Sequence, residues 1–151
     1  MTAAQLIRTL QLIPHPEGGY FRQLYGNEPN QEKEKSVSTI YYLLENEQFS
    51  AFHRLSNIEI WYFHAGEPIF LYVIDEWGEL IIHTLSLEGE CQVVIYPNQW
   101  FAADIPSKKG FTLVGCAVVP AFTFDHFELA DSQQLIQKFP QHQSLIMRLT
   151  I

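Results

Sequence analysis

The chain has 151 residues, of which 47% are hydrophobic and 14% aromatic, and its formal net charge at pH 7 is −8. This length and composition predict one domain with a single core, spanning residues 1–151. The negative charge opposes binding to the phosphate backbone of nucleic acids, and no apolar run approaches the roughly 20 residues of a membrane helix. We therefore expect a soluble, cytoplasmic protein whose partners include neither nucleic acid nor a membrane.

The amino-terminal residues predict a short amphipathic helix. Leu6, Leu10 and Ile13 recur at near-helical spacing, and Thr2 is a suitable N-cap residue. Pro14 ends the pattern, because proline lacks the backbone N–H that a helix interior needs.

Short strands separated by turn residues follow for most of the chain. A first strand is predicted at 20–25, and the charged stretch 27–35 is typical of a mobile, solvated loop. Further strands are predicted at residues 37–45, 49–55, 58–64, 69–75, 80–87, 91–96, 99–104, 111–119 and 122–129. This density of strands predicts an all-β antiparallel sandwich or barrel.

The carboxyl-terminal residues predict one helix and then a strand-like tail. Asp131 or Ser132 is suited to cap the helix, and Leu135, Ile136 and Phe139 form its apolar stripe. The predicted barrel therefore has a short helix at each end.

The two cysteines, Cys91 and Cys116, lie in apolar, strand-like surroundings without CxxC spacing. This spacing excludes zinc-finger and thioredoxin-like sites. Both are predicted to be buried, reduced thiols.

Residues 50–66 carry the polar side chains that most clearly indicate a binding site. Side chains alternate across a strand, so an inward-facing Glu59 brings Trp61 and Phe63 to the same face. His53 precedes them on a neighbouring strand, and such a polar pair costs free energy in a barrel core unless it is satisfied or used. We interpret His53 and Glu59 as pocket residues with Trp61 and Phe63 as walls. The alternative, a hydrogen-bonded pair that only orients a loop, stays open.

Neighbouring strands offer further candidates for the pocket wall. Trp100 follows a turn, and Tyr20 and Arg22 share one strand face by the period of two. Arg22 is equally suited to meet an anionic ligand or to pair with a protein carboxylate. Large aromatic side chains such as Trp61 and Trp100 also serve as packing alone.

Three other features are left open or assigned a structural role. The Gly18-Gly19 pair is interpreted as a backbone turn that needs positive φ, because no phosphate-loop lysine and serine follow it. His64 is predicted to face outward from its strand. Whether His64 or Asp125 contributes to the pocket stays open.

The register of the pocket residues resembles the two sequence motifs of cupin barrels. The matching positions are His53, Glu59, Gly66 and Pro97. Leu55 stands where the first motif has its second histidine, and Gln99 and Ala102 stand where the second motif has its glycine and histidine. Two of the four metal ligands of that pattern are therefore replaced.

More closely, the chain resembles the cupin-5 family, also catalogued as domain of unknown function 985. The resemblance is carried by residues 15–25, 38–44, 52–66, 96–103 and 122–130. It implies a double-stranded β-helix, or jelly-roll barrel, with a pocket at one end, and commonly a homodimer; it implies no established reaction. The apolar segment 111–120 also needs cover on both faces, from a second sheet or from a partner chain.

Three functions are compatible with such a pocket, and a barrel that serves only as a dimerisation scaffold is a further alternative. The first is a metal-independent site for a small molecule with a ring or apolar face, without a cofactor, acting either as an enzyme or only as a binding module. The second, by analogy with cupin epimerases that need no metal, is a sugar or nucleotide-sugar epimerase or isomerase in which His53 is the base and Tyr41 or Tyr20 the acid. The third is a metal-dependent dioxygenase or isomerase with a reduced ligand set of His53 and Glu59, fewer ligands than divalent metals normally take.

Overall fold

The computed structural model of the protein describes residues 1–26 and 36–151. The predicted loop at 27–35 lies outside the described residues. The strands are β1 (Ile13–Pro14), β2 (Tyr20–Tyr25), β3 (Ser38–Glu45), β4 (Phe49–Leu55), β5 (Ile58–Gly66), β6 (Ile69–Ile74), β7 (Leu80–Leu85), β8 (Gln92–Ile95), β9 (Trp100–Asp104), β10 (Phe111–Val119) and β11 (Phe127–Leu129). The α-helices are α1 (Ala3–Thr9), α2 (Ser132–Lys138) and α3 (Gln143–Arg148). The predicted all-β class with short helices near both ends is confirmed.

The strands form two antiparallel sheets that face each other. One has the order β1-β2-β3-β10-β5-β8 and the other the order β11-β4-β9-β6-β7. The apolar strand β10 is central, paired with β3 on one side and β5 on the other. Its edges are therefore paired within the chain, and its faces are covered by the other sheet and by α1. A homodimer stays a prediction.

The main core lies between the two sheets. Its largest fully buried members include Trp61, Leu71 and Phe101, each at most 1% exposed. Burying such side chains stabilises the fold by about 1.5–3 kcal/mol each. A second apolar cluster joins the outer face of β4, β6 and β9 to α2 and α3, and a third joins β3 and β10 to α1.

Helix α1 is shorter than its apolar spacing predicts. A capping box between Thr2 and Gln5 starts it, and it ends at Thr9, because Gln11 adopts a φ of 55° that no α-helix accommodates. Ile13 consequently lies in β1 and is 58% exposed instead of packing with the helix.

The carboxyl-terminal tail is helical, so the predicted strand there is wrong. Asp131 caps α2 by accepting a hydrogen bond from the backbone N–H of Gln134, and α3 follows. Ile146 and Leu149 are buried three residues apart against the outer face of β4, β6 and β9, a helical spacing. The strand predicted at 122–129 is also shorter, because a 3₁₀ turn at Phe124–His126 precedes β11.

Both cysteines are free thiols, but only one is buried. Cys116 lies inside β10, whereas Cys91 is exposed because it precedes β8 and is not part of it. The prediction that both are buried is wrong for Cys91. None of the helices within residues 1–26 and 36–151 is long and apolar enough to cross a bilayer.

Candidate functional site

A cavity of about 290 Å³ lies between the two sheets. This volume is near the lower end of the roughly 300–1,000 Å³ of small-molecule sites. Its titratable lining residues are His15, Glu17, Tyr42, His53, Glu59 and Cys116. Its largest apolar lining side chains are Phe21, Trp61, Phe122, Phe124 and Phe127. The cavity therefore combines a small polar centre with aromatic walls.

Strand β5 brings Glu59 and Trp61 to the cavity by simple alternation. Both side chains are buried, with 7% and 1% exposed, and both line the cavity, as the period of two predicts. Ile60 and Tyr62 between and after them are less buried. Because β5 pairs with β10 and β8 along this stretch, its backbone is fixed from both sides.

His53 on β4 is held by its Nδ1 atom. That nitrogen donates a hydrogen bond to the carbonyl oxygen of Ala51 at 2.7 Å and lies 3.4 Å from Oε2 of Glu17. The imidazole packs against Phe101, with ring centroids 4.1 Å apart. In the neutral imidazole the lone pair is therefore on Nε2, the nitrogen left to contact a ligand.

The Gly18-Gly19 turn brings Glu17 into the site. Gly18 and Gly19 have φ values of 114° and 75°, and a Cβ on Gly18 would lie 2.0 Å from the carbonyl oxygen of Phe49. The interpretation as a positive-φ turn is confirmed. Buried Glu17 accepts a hydrogen bond from Ser50 Oγ at 2.8 Å. Sequence reasoning missed Glu17, although the two glycines that follow it were the available signal.

The carboxyl group of Glu59 is a weak acid in this setting. Burial, followed by the nearby charge of Glu17, raises the pKa of Glu59 from 4.5 to about 8. Its Oε2 atom has no hydrogen-bond partner among the described residues. At pH 7 Glu59 is therefore mainly a protonated carboxylic acid facing the cavity.

Burial also disfavours the charged forms of His15, Tyr42 and Cys116. Desolvation lowers the pKa of His15, whose Nδ1 accepts the backbone N–H of Glu17 at 3.1 Å. Desolvation raises the pKa values of Tyr42 and Cys116 well above their ordinary values. The hydroxyl of Tyr42 donates to the carbonyl oxygen of Gly18 at 2.6 Å.

Tyr41 does not face the cavity. It is partly buried in the cluster that joins β3 to α1, and its ring centroid is 6.0 Å from that of the exposed His64. The adjacent Tyr42 faces the cavity instead. Both faces of β3 carry apolar residues because α1 covers the outer one, so the sequence pattern did not distinguish the two tyrosines.

Tyr20 and Arg22 share a face of β2, as predicted, but it is the face turned away from the cavity. Tyr20 packs with the α1 cluster, and Arg22 is exposed and donates to the carbonyl oxygen of Leu10 at 3.2 Å. Phe21 and Gln23, which alternate with them, line the cavity. The register along the strand was right and the choice of face was not.

Trp100 and Phe63 also lie outside the cavity lining. Trp100 packs in the cluster beneath α2 and α3, with the guanidinium carbon of Arg54 4.6 Å from its ring centroid. Phe63 packs against the core between the sheets. Asp125 is exposed and is not part of the lining either.

The cupin metal pattern does not fit these residues. Leu55 lines the cavity at the position of a histidine ligand, and Ala102 belongs to the outer cluster beneath the carboxyl-terminal helices. The inward position of β9 next to His53 is taken by Phe101, which has no ligand atom. Within the described part of the chain, no three His, Cys, Asp or Glu side chains converge as metal ligands.

A second cleft, larger than the cavity, lies on the surface beside the Gly18-Gly19 turn. It has a volume of about 540 Å³ and is lined by residues 15–19 and 45–49 and by Ile151. It is broadly open to solvent and shares His15, Pro16 and Glu17 with the cavity. The cavity is the better candidate because it is more enclosed and His53 and Glu59 converge there.

Comparison with known proteins identifies the family. The model of the family described as Cupin_5, Cupin superfamily (DUF985), matches residues 4–130. The chain belongs to this family. It is 38% identical to protein SO0799 of Shewanella oneidensis, with a TM-score of 0.92 over 100% of this chain and 98% of that one. It is 28% identical to a hypothetical protein from Leishmania major, with a TM-score of 0.90 over 99% of both chains. No curated protein matches the sequence.

A more distant similarity supports the jelly-roll architecture. Oxalate decarboxylase from Bacillus subtilis aligns with a TM-score of 0.63 at 12% identity, covering 90% of this chain and 36% of that one. At this identity the similarity concerns the fold alone. The Mn(II) centres described for oxalate decarboxylase are not inferred for this chain.

Proposed function

We propose that this protein binds a small organic molecule in the cavity between His53 and Glu59, without a metal held by the protein. The observation that carries the proposal is the buried, unpartnered Oε2 atom of Glu59 in a cavity of ligand size. A buried polar atom without a partner costs free energy, so evolution retains it chiefly where a ligand or a function uses it.

The alternative, a purely structural polar pair, accounts for only half of the site. His53 and Glu17 are satisfied by Ala51 and Ser50, which is what a structural network requires. Glu59 takes no part in that network. Its carboxyl group interacts with the indole of Trp61 and the thiol of Cys116, but neither its Oε2 atom nor the indole N–H has a partner at hydrogen-bond geometry among the described residues. A ligand with a ring or apolar body and one or two polar groups complements this arrangement.

Fragment binding tests the proposal. Ligand-observed NMR with a library of small ring compounds is expected to give hits for the wild type that the cavity-filling variant Leu55→Trp loses. Tyr41→Phe, on the other side of β3, is the matched control and is expected to keep them. Absence of hits for the wild type, or hits that Leu55→Trp retains, would contradict the assignment of the cavity.

Proton transfer is a second candidate function, because a base and an acid face one cavity. His53 would take up a proton at Nε2 and Glu59 would donate one, which gives the epimerase-like alternative an acid other than Tyr41 or Tyr20. Incubation of carbonyl-containing fragment hits in D₂O is expected to give exchange at the carbon next to the carbonyl. His53→Gln should abolish it, and hits recovered without deuterium would leave a binding module only.

Two further elements of the proposal are open to direct measurement. Elemental analysis of protein purified without added metal is expected to find less than one equivalent of iron, manganese, nickel or zinc; stoichiometric metal would overturn the metal-free part. We also expect a homodimer in solution, and a monomeric sedimentation profile at micromolar concentration would contradict it.

A further inference from the structure

Resting on the proposed function, we infer that the occupant of the cavity is a small organic cation, such as a primary ammonium ion attached to a ring-bearing body. The inference rests on what lines the cavity: two carboxyl groups and several aromatic rings, with no lysine or arginine among its described residues. It is independent of whether the bound molecule is chemically changed.

The charged and titratable groups around Glu59 favour a positive ligand. Glu59 is faced by Glu17 and His15 from the amino-terminal loop, by Tyr42 from β3, by His53 from β4 and by Cys116 from β10. Within the described residues, none of these groups is a permanent cation. An anion would meet two carboxyl groups without a counter-charge, whereas a cation would offset the repulsion that Glu17 exerts on the ionised form of Glu59.

The aromatic walls favour the same class of ligand. The rings of Phe122, Phe124 and Phe127 form a cluster, with the Phe122 centroid 5.2 Å from that of Phe124 and 5.9 Å from that of Phe127. Ring faces attract cations, and the attraction grows when the pair is removed from water, which applies to the half-buried Phe122 and Phe127 but not to Phe124, which is 71% exposed. Aromatic rings are a recurring recognition element for organic ammonium ions.

Binding of a cation has a measurable consequence for the proton on Glu59. The free carboxyl group has a pKa of about 8 and is therefore about nine-tenths protonated at pH 7. A cation next to it favours the carboxylate, so the proton leaves to the buffer as the ligand binds. Near pH 9 most of the free protein has already lost that proton, so the release should become small and the affinity for the cation should be higher.

Three probes with the same ring and different charge separate the alternatives. Phenethylamine is the cation, 2-phenylethanol the neutral control and phenylacetate the anion. Calorimetry at pH 7 in buffers of different ionisation enthalpy is expected to show phenethylamine binding about tenfold or more tightly than 2-phenylethanol, with phenylacetate weakest. It should also show release of most of one proton with the amine and of none with the alcohol. The pH is kept below 9, since an alkylammonium group has a pKa of about 10.4.

Two variants assign the effect to the cavity carboxyl group. Glu59→Gln keeps the shape but cannot become an anion, so it should lose the preference for the amine and the proton release while still binding the alcohol. Glu76→Gln removes an exposed carboxylate from the turn between β6 and β7 and should change neither.

The outcomes distinguish this inference from the proposed function. If 2-phenylethanol binds as tightly as phenethylamine, or the amine binds without proton release, the cation inference is wrong and the small-molecule site stands. If no probe binds and the wider fragment library also fails, both are wrong. If the amine effect persists in Glu59→Gln, the cation binds elsewhere and the inference is again wrong.

Discussion

Replacing Glu59 by glutamine should stabilise the protein at neutral pH. In the unfolded chain this carboxyl group has its ordinary pKa of 4.5, and in the fold the pKa is about 8, because burial and Glu17 disfavour the charged form. The protonated side chain therefore makes a contribution to stability that is fully present below pH 4.5 and is lost progressively as the pH rises to about 8. Glutamine carries no charge in either state and avoids this loss.

The expected size of the effect follows from the two pKa values. A pH of 7 lies 7 − 4.5 = 2.5 units above the pKa of Glu59 in the unfolded chain. At about 1.4 kcal/mol per unit, Glu59→Gln should therefore be more stable than the wild type by about 3 kcal/mol. Above pH 8 the difference should level off near 8 − 4.5 = 3.5 units, or about 5 kcal/mol. These are upper values, because glutamine does not reproduce every contact of the protonated acid.

Denaturant unfolding between pH 4.5 and 9 tests this prediction. The free energy of unfolding of Glu59→Gln minus that of the wild type should rise with pH and then level off, while Glu76→Gln should parallel the wild type. A constant difference across the range would refute a raised pKa for Glu59. A variant less stable than the wild type by the same amount at every pH would mean that the carboxyl group makes a contact that glutamine cannot make.

Three further substitutions test interactions that hold the fold and the turn beside the site. Asp104→Asn should destabilise the fold by about 1.5–3 kcal/mol in thermal or denaturant unfolding at pH 7, because it removes the buried carboxylate that pairs with the half-exposed Arg148 and Lys108; an unchanged midpoint would argue against those pairs. Gly18→Ala should cost more than about 1 kcal/mol and weaken fragment binding, since its Cβ would meet a backbone carbonyl; wild-type stability would refute the described turn. Ser50→Ala should cost about 1–2 kcal/mol in the same unfolding assay by leaving Glu17 without its hydroxyl donor, and a neutral effect would mean that water replaces that donor.

Much of the fold could be predicted because its signals are local. Strand β5 was predicted from Ile58 onward, and its alternation correctly brought Glu59 and Trp61 to one buried face. The antiparallel two-sheet architecture followed from the number and spacing of short strands. The helical tail was missed, because the short apolar spacing of Ile146 and Leu149 is weak evidence beside a run of strands.

The composition of the site was harder to predict, because faces depend on tertiary cover. On β2 and β3 the apolar residues occur on both faces, since α1 packs against the outer one, so Tyr41 was chosen where Tyr42 lines the cavity. Trp100 was chosen for its place after a turn, yet α2 and α3 cover that face of β9. Glu17 reaches the site through a turn whose backbone, and not its side-chain pattern, determines where it lies.

A crystal structure of the protein with its tightest-binding fragment tests the central claim most directly. We expect the fragment between the two sheets, with polar atoms within hydrogen-bond distance of Glu59 Oε2 and His53 Nε2 and with its apolar part against the aromatic walls. Electron density for the fragment only in the surface cleft beside Ile151, with ordered water alone beside Glu59, would contradict the account.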